Sequence, residues 1–298
     1  MNKFAIVSDS SCDLDKNLRE KYGVDYVPFL CHYKGKDVVA DPDWENMPIE
    51  EFYDYLREGN RIVTSQISVH DCREVFEKYL SQGMDVLSIS CTGALSSSVN
   101  VCYRVREELK EKYPERKIIC IDATISSGGI SILCARASKL REEGKSIEEV
   151  AAFIEENKKF VNQEGSVNDL SYLKRAGRVS WASAFFGGLL NIKPLIIADV
   201  HGYNVAIEKV KGRKTSIIRT AERVAESINL EEYPYIFIRH SNCEDIEDVK
   251  KEILARVNIK EENINIGNIN AAIGASVGPG MFGVYFVGKE VTYDSKVK

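Results

Sequence analysis

The sequence predicts an α/β protein in two parts: an N-terminal parallel-sheet α/β domain over residues 1–165 and a C-terminal α+β domain over residues 166–298. Three observations carry this expectation. In the first half, a unit of apolar strand, polar small-residue loop and amphipathic helix recurs three times, the pattern of a parallel sheet flanked by helices. After about residue 165 the texture changes to a hairpin and to strands interspersed with helices. At 298 residues the chain is long enough for two cores.

Phe4 to Ser8 reads as a buried strand that ends in the turn DSSCD. Ser68 has the place of a helix cap, with Asp71 three residues on, and the helix that follows turns Val75, Phe76, Tyr79 and Leu80 inward. Val86 to Ser90 is a second strand; a serine-rich loop and a helix to about Tyr113 come next. Lys117 to Asp122 is a third, followed by Ser126–Ser127–Gly128–Gly129 and a helix to about Glu143. Ser146 and Glu149 open one more helix. In the second part, DLSYLKRAG forms a short helix that Gly177 stops, and SWASAFFGGLLN an unusually apolar one capped by Ser180. LIIADVHGYNVAIEKV turns as a hairpin at His201–Gly202. Two amphipathic helices surround the strand YIFIRH, and INIGNIN and VYFVG add edge or central strands.

Composition narrows the function. An apolar fraction of 44% and a charged fraction of 29% suit a soluble globular chain. A net charge of −5 without long Lys/Arg blocks argues against nucleic acid as the main partner. The opening MNKFAIVSDSS has too short an apolar run for a signal peptide, and no 18-residue apolar stretch follows, so the expected location is the cytosol. The eight cysteines form no CxxC pair and no Cys–His cluster, and several sit in apolar runs. They read as buried reduced thiols, and no metal site is expected.

In an open parallel sheet, ligands bind where the strands' carboxyl ends lead into helices. Those loops are DSSCD (9–13), CTGALSSS (91–98) and ATISSGG (123–129), with Thr64–Ser65–Gln66–Ile67–Ser68 as a fourth polar segment. Hydroxyls and free backbone N–H groups at helix starts suit a small anion, a carboxylate or a phosphate. The same serines also serve as caps and turn formers. Other motifs fail. Gly278 to Gly283 matches GxGxxG, yet only 15 residues follow it, too few for a nucleotide-binding unit. Asp13–Leu14–Asp15 reads as a helix start rather than a phosphatase carboxylate pair, no GxSxG elbow is present, and His32, His70, His201 and His240 show no ligand or triad spacing. No catalytic pair emerges. In SWASAFFGGLLN, the side chains Phe185, Phe186 and Leu189 either pack between layers or line an apolar cavity. An apolar cavity beside hydroxyl loops suits an amphipathic ligand with an anionic head.

Taken in order, these segments resemble the DegV family of fatty-acid-binding proteins. IVSDSSCDL (6–14) is similar to its opening IVTDSTADL, and TSQIS (64–68) to TSQPS. LSSSVNV (95–101) stands where the family has LSGTYQS. YLKRAGRVSWASAFFGGLLNIKPLI (172–196) resembles YLKKGGRI…GxLLNIKPIL, the most specific match, and IGASVGPGMFG (273–283) resembles IGTHVGPGALG. The resemblance covers nearly the whole chain. It implies a fatty acid clasped between two domains, its carboxylate held by Thr64, Ser65 and Ser96 with backbone N–H groups near Ser98, and Arg178 neutralising charge near the head or holding the helix entry. It also implies that some members present the carboxylate to a fatty-acid kinase. Three positions depart from the family pattern. Ser276 replaces a histidine and offers the carboxylate a hydrogen bond but no positive charge. Ser97 replaces a glycine, which strains any positive φ there. Ile67 replaces a proline, which loosens its turn.

A sixteen-carbon tail buries about 14 methylenes at roughly 0.8 kcal/mol each, on the order of 11 kcal/mol before association costs. The sequence therefore reads as a monomeric, non-enzymatic carrier of a long-chain fatty acid, with no cofactor and with a fatty-acid kinase as the implied partner. The alternatives are an enzyme acting on a small phosphorylated or keto compound, and a regulatory module whose ligand controls a partner protein.

Overall fold

The structure, a computed structural model, describes residues 4–179 and 191–296. The chain runs β1 (Phe4–Asp9), α1 (Lys16–Tyr22), β2 (Val24–Val27), β3 (Phe29–Tyr33), β4 (Lys36–Ala40), α2 (Ile49–Arg57), β5 (Val63–Ser65), α3 (Val69–Leu80), β6 (Asp85–Ser90), α4 (Ser98–Lys112), β7 (Ile118–Asp122), α5 (Gly128–Glu142) and α6 (Ile147–Asn157). It continues through β8 (Val161–Ser166), α7 (Leu170–Ala176), β9 (Ile192–Ala198), β10 (Asn204–Lys211), α8 (Arg213–Ser227), β11 (Ile236–His240), α9 (Ile246–Leu254), β12 (Ile264–Asn268), α10 (Ala271–Val277) and β13 (Phe282–Val287).

The continuous apolar runs of β1, β6 and β7 make a parallel sheet in the order β2-β1-β6-β7, because strands covered by helices on both faces need no polar side. One face packs on α5 and α6 through Ile6, Leu87, Ile121, Ile130 and Leu133. The other packs on α2, α3 and α4 through Val7, Phe52, Phe76 and Val105. The strand order reverses between β1 and β6, so the loops after those two strands flank a crevice.

The second sheet has six mixed strands in the order β10-β9-β8-β13-β11-β12. The hairpin expected at His201–Gly202 joins β9 to β10, with Gly202 at φ +81°. The strand expected in INIGNIN is the edge strand β12, while VYFVG lies in β13, between β8 and β11. Helices α8 and α9 cover one face around Ile217, Val249, Ile253 and Phe286. On the other face, α5 lies between the two sheets, touching β1 and β6 on one side and β11 and β13 on the other. Gly128 allows this approach, since a Cβ there would stand 2.5 Å from the Tyr285 ring.

The caps expected of Ser68 and Ser146 are formed, the second as a reciprocal box with Glu149, and Gly177 ends α7 at φ +69°. Asp15 caps α1, as the helix-start reading of residues 13–15 requires. All eight cysteines are buried and unpaired. A third, three-stranded antiparallel sheet β4-β3-β5, together with α2, β8 and α10, lies in stretches the sequence left unread. Ser180 and the apolar segment carrying Phe185, Phe186 and Leu189 lie outside the described residues.

Candidate functional site

The four polar loops do converge. A pocket of about 580 Å³, counting its open mouth, takes Ser11 from the loop after β1, Ser96 from the loop after β6, Ser126 from the loop after β7, and Thr64 and Ser65 from β5. It lies at the carboxyl edge of the parallel sheet, beside the strand-order reversal. Its opposite wall comes from the second part of the chain: Leu173 of α7, Arg178, Asn204 of β10, and Ile273, Ser276 and Val277 of α10. Of the residues singled out from sequence, Thr64, Ser65, Ser96, Arg178 and Ser276 line this one space.

Ser98 stands behind the wall, fully buried. Its Oγ lies 2.9 Å from Ser96 Oγ and accepts the Ile67 N–H at 3.3 Å, while its own N–H donates to Ser96 Oγ at 3.3 Å. Ser98 thus orients Ser96 and ties the 64–68 segment to the start of α4. The Ile67 N–H that makes this tie is a group proline lacks, so the replacement adds a restraint where a looser turn was expected. Ser97 takes φ −81°, so no left-handed strain arises there.

Arg178 is held by carbonyls: Nε donates to Leu95 O at 3.3 Å and Nη1 to Ala176 O. It therefore joins the loop after β6 to the end of α7, with its guanidinium at the mouth. Ser276 Oγ donates to Ala272 O, 3.3 Å away on its own helix. Thr64, Arg178 and Ser276 also border a neighbouring hollow shared with Arg61 and Arg175. These three arginines give the mouth a positive rim on a chain of net charge −5.

A second space of about 390 Å³, counting open solvent, adjoins the pocket, the two sharing Ser126, Leu173, Asn204, Ile273 and Val277. Val167, Ile196, Met281, Phe282 and Tyr285 line this second space, together with Gln163 and Ser166. Of these, Val167, Ile196 and Met281 belong to a small apolar cluster between the six-stranded sheet and the helices α7 and α10. The first space is lined by hydroxyls and Arg178; the second is mostly apolar, with Gln163 and Ser166 as polar residues on its wall.

Sequence reasoning missed this apolar wall, because α7, β9 and α10 meet only through the tertiary fold. It set Asp13 aside as part of a helix start, whereas the residue is buried at the junction of the two sheets. Its carboxylate accepts from Ser127 Oγ at 2.5 Å, from Asn270 N at 2.8 Å and from Asn270 Nδ2 at 3.1 Å. Burial pushes Asp13 up to about 7, against those hydrogen bonds and the charge of Arg239. Asp9 is also raised by burial; it accepts from Ser11 and from the Cys91 N–H. Of the histidines, His32 and His70 are exposed, and His240, lowered to about 4 by burial, stays neutral and accepts from the Cys243 N–H at 3.3 Å. No helix among the described residues is long and apolar enough to cross a membrane.

Comparison with known proteins agrees with this architecture. Residues 3–289 match the family model described as "Uncharacterised protein, DegV family COG1307". A DegV domain-containing protein of Clostridium perfringens is 35% identical over 289 residues, which is 97% of this chain and 98% of the relative. Among solved structures, a fatty-acid-binding DegV family protein from Thermus thermophilus superposes with a TM-score of 0.82 at 30% identity, covering 97% of this chain and 100% of its own. A DegV lipid-binding protein from Thermotoga maritima does so with a TM-score of 0.82 at 25% identity and the same coverage. With the family model spanning nearly its whole length, the chain belongs to the DegV family.

Proposed function

We propose that this protein binds one long-chain fatty acid, carboxylate at the mouth and tail in the deep channel, and carries it without chemically altering it. The observation that carries the reading is the adjacency of the two spaces: hydroxyls and an arginine line the first, mainly aliphatic and aromatic side chains the second, with Leu173 and Val277 lining both. A bulky phosphorylated metabolite has no use for an apolar channel, and a fully apolar ligand has none for the hydroxyls.

Thr64, Ser65 and Ser96 are the donors for the carboxylate, and Ser276 joins them when its hydroxyl rotates away from its own helix. Arg178 supplies positive charge from a fixed position. Charge-assisted bonds of this kind are stronger than neutral ones and offset the desolvation of the carboxylate. The tail supplies most of the affinity, on the order of 11 kcal/mol gross for 14 methylenes. Two domains, over residues 1–165 and 166–298, clasp the lipid between them. Because the head lies at the open end, a second protein has access to it, and presentation to a fatty-acid kinase is the role this orientation serves.

Organic extraction of the purified protein followed by mass spectrometry tests the reading. One fatty acid per chain is the expected result. No lipid, even after incubation with palmitate or oleate, would overturn it.

A further inference from the structure

Asp13 is a carboxylate that the lipid site does not use. It ends the turn after β1 in the left-handed backbone region, at φ 50° and 4% exposed. Two of its three hydrogen bonds come from Asn270, at the start of α10, and the third from Ser127, at the start of α5. Asn270 acts twice. Its amide nitrogen reaches Asp13 and Ser10 O on the parallel-sheet side, while its oxygen accepts from Ala272 N at 2.8 Å and Ile273 N at 3.1 Å and so caps α10. Helix α10 brings Ile273, Ser276 and Val277 to the pocket wall. One carboxylate therefore fastens a wall of the pocket to the first strand's turn.

We propose that Asp13 is a positioning residue for the pocket: it clamps α10 across the seam between the two sheets, and the clamp loosens as the carboxylate ionises, so that ligand entry and release quicken as pH rises. The link to the ligand rests on the fatty-acid reading above; the clamp itself does not.

The physical reason is hydration. When closed, an ionised Asp13 has neutral donors around it and one facing cation, Arg239 of β11, which is itself fully buried and hydrogen-bonded to Asn265. Opening the seam returns water to the carboxylate, so the closed state holds the proton more tightly than the open one. The remaining groups facing Asp13 are Tyr285 of β13, Tyr53 of α2, Cys12 on the same turn and Cys91 after β6. Burial pushes all four up, so they stay neutral across the range in question. Asp15, one turn on, faces Arg239 and caps α1. Asp9, raised as well, accepts only from Ser11 and Cys91 on its own side, so its ionisation does not pull on the seam.

The sign follows from the two values. Asp13 ionises at about 7 when closed, against 3.8 for a solvated side chain. Closure is therefore favoured most below 3.8, weakens as pH rises towards 7, and levels off above it.

Amide hydrogen exchange in α10 of the ligand-free protein, corrected for intrinsic exchange chemistry, tests the clamp. Between pH 6 and pH 8, protection of amides such as Gly274 is expected to fall about ten-fold in the wild type. In Asp13→Asn, isosteric and always neutral, it is expected to stay flat and high. A flat wild-type profile, or the same fall in Asp13→Asn, overturns the proposal. Ser127→Ala provides a check if that variant folds poorly. It removes a hydroxyl bond that favours ionisation, so the fall moves to higher pH; an unmoved or lower transition counts against the clamp. Transfer of bound palmitate to albumin should accelerate by the same factor in the wild type alone. Should palmitate not bind, the exchange data still decide the clamp, and only the fatty-acid reading fails.

Discussion

Replacing Val277 by tryptophan should close the channel while leaving the fold intact. Val277 is 7% exposed and lies where the hydroxyl-lined pocket meets the apolar channel, bordering both. An indole at that point fills the passage and strands the deeper space around Ile196, Met281 and Phe282. If the tail is stopped there, about seven methylenes lose their burial, roughly 5–6 kcal/mol, or on the order of 10⁴-fold in Kd. The void absorbs much of the added ring, so overpacking should cost stability only about 1–3 kcal/mol. Displacement of a fluorescent fatty acid measures the affinity, and circular dichroism melting reports the fold. A Val277→Trp protein that melts cooperatively and binds palmitate within a few-fold of the wild type would refute the path assigned to the tail.

Two further outcomes follow from the same geometry. Thr64→Val and Ser96→Ala each remove one hydroxyl donor at the mouth and should weaken binding about 5- to 30-fold, roughly 1–2 kcal/mol, in isothermal titration with palmitate; unchanged affinity in both would move the head group elsewhere. Gly128→Ala places a methyl 2.5 Å from the Tyr285 ring and 3.2 Å from Phe237 Cβ, and should lower stability by about 1–3 kcal/mol in urea unfolding, since α5 must move away from the second sheet.

The parallel sheet was legible because three of its strands are mostly apolar runs ending in loops of small polar residues. That edge also pointed to the loop carrying Ser96, by the rule placing ligands at strand carboxyl ends, while Thr64 and Ser65 were singled out by the family resemblance of the TSQIS segment. The stretch from Val24 to Ser65 was not legible. Its strands are three to five residues long, and β5 pairs through only three, Val63 to Ser65. Helix α10, AAIGASV, has only seven residues, too few for a helical period to show, and only its Asn270 cap signals a start. The apolar half of the site depends on α10 and α7 meeting over the second sheet. The partnership of Asp13 with Asn270 spans 257 residues of chain, a separation that no local pattern encodes.

Orientation of the lipid is the central claim, and a crystal structure grown with a fatty acid brominated at its terminal carbon tests it most directly. An anomalous bromine peak beside Met281, Phe282 and Tyr285, with the carboxylate in hydrogen-bond reach of Thr64 and Ser96, is the result the account predicts. A bromine peak at the mouth beside Thr64 and Arg178, or a ligand seated elsewhere on the chain, would contradict it.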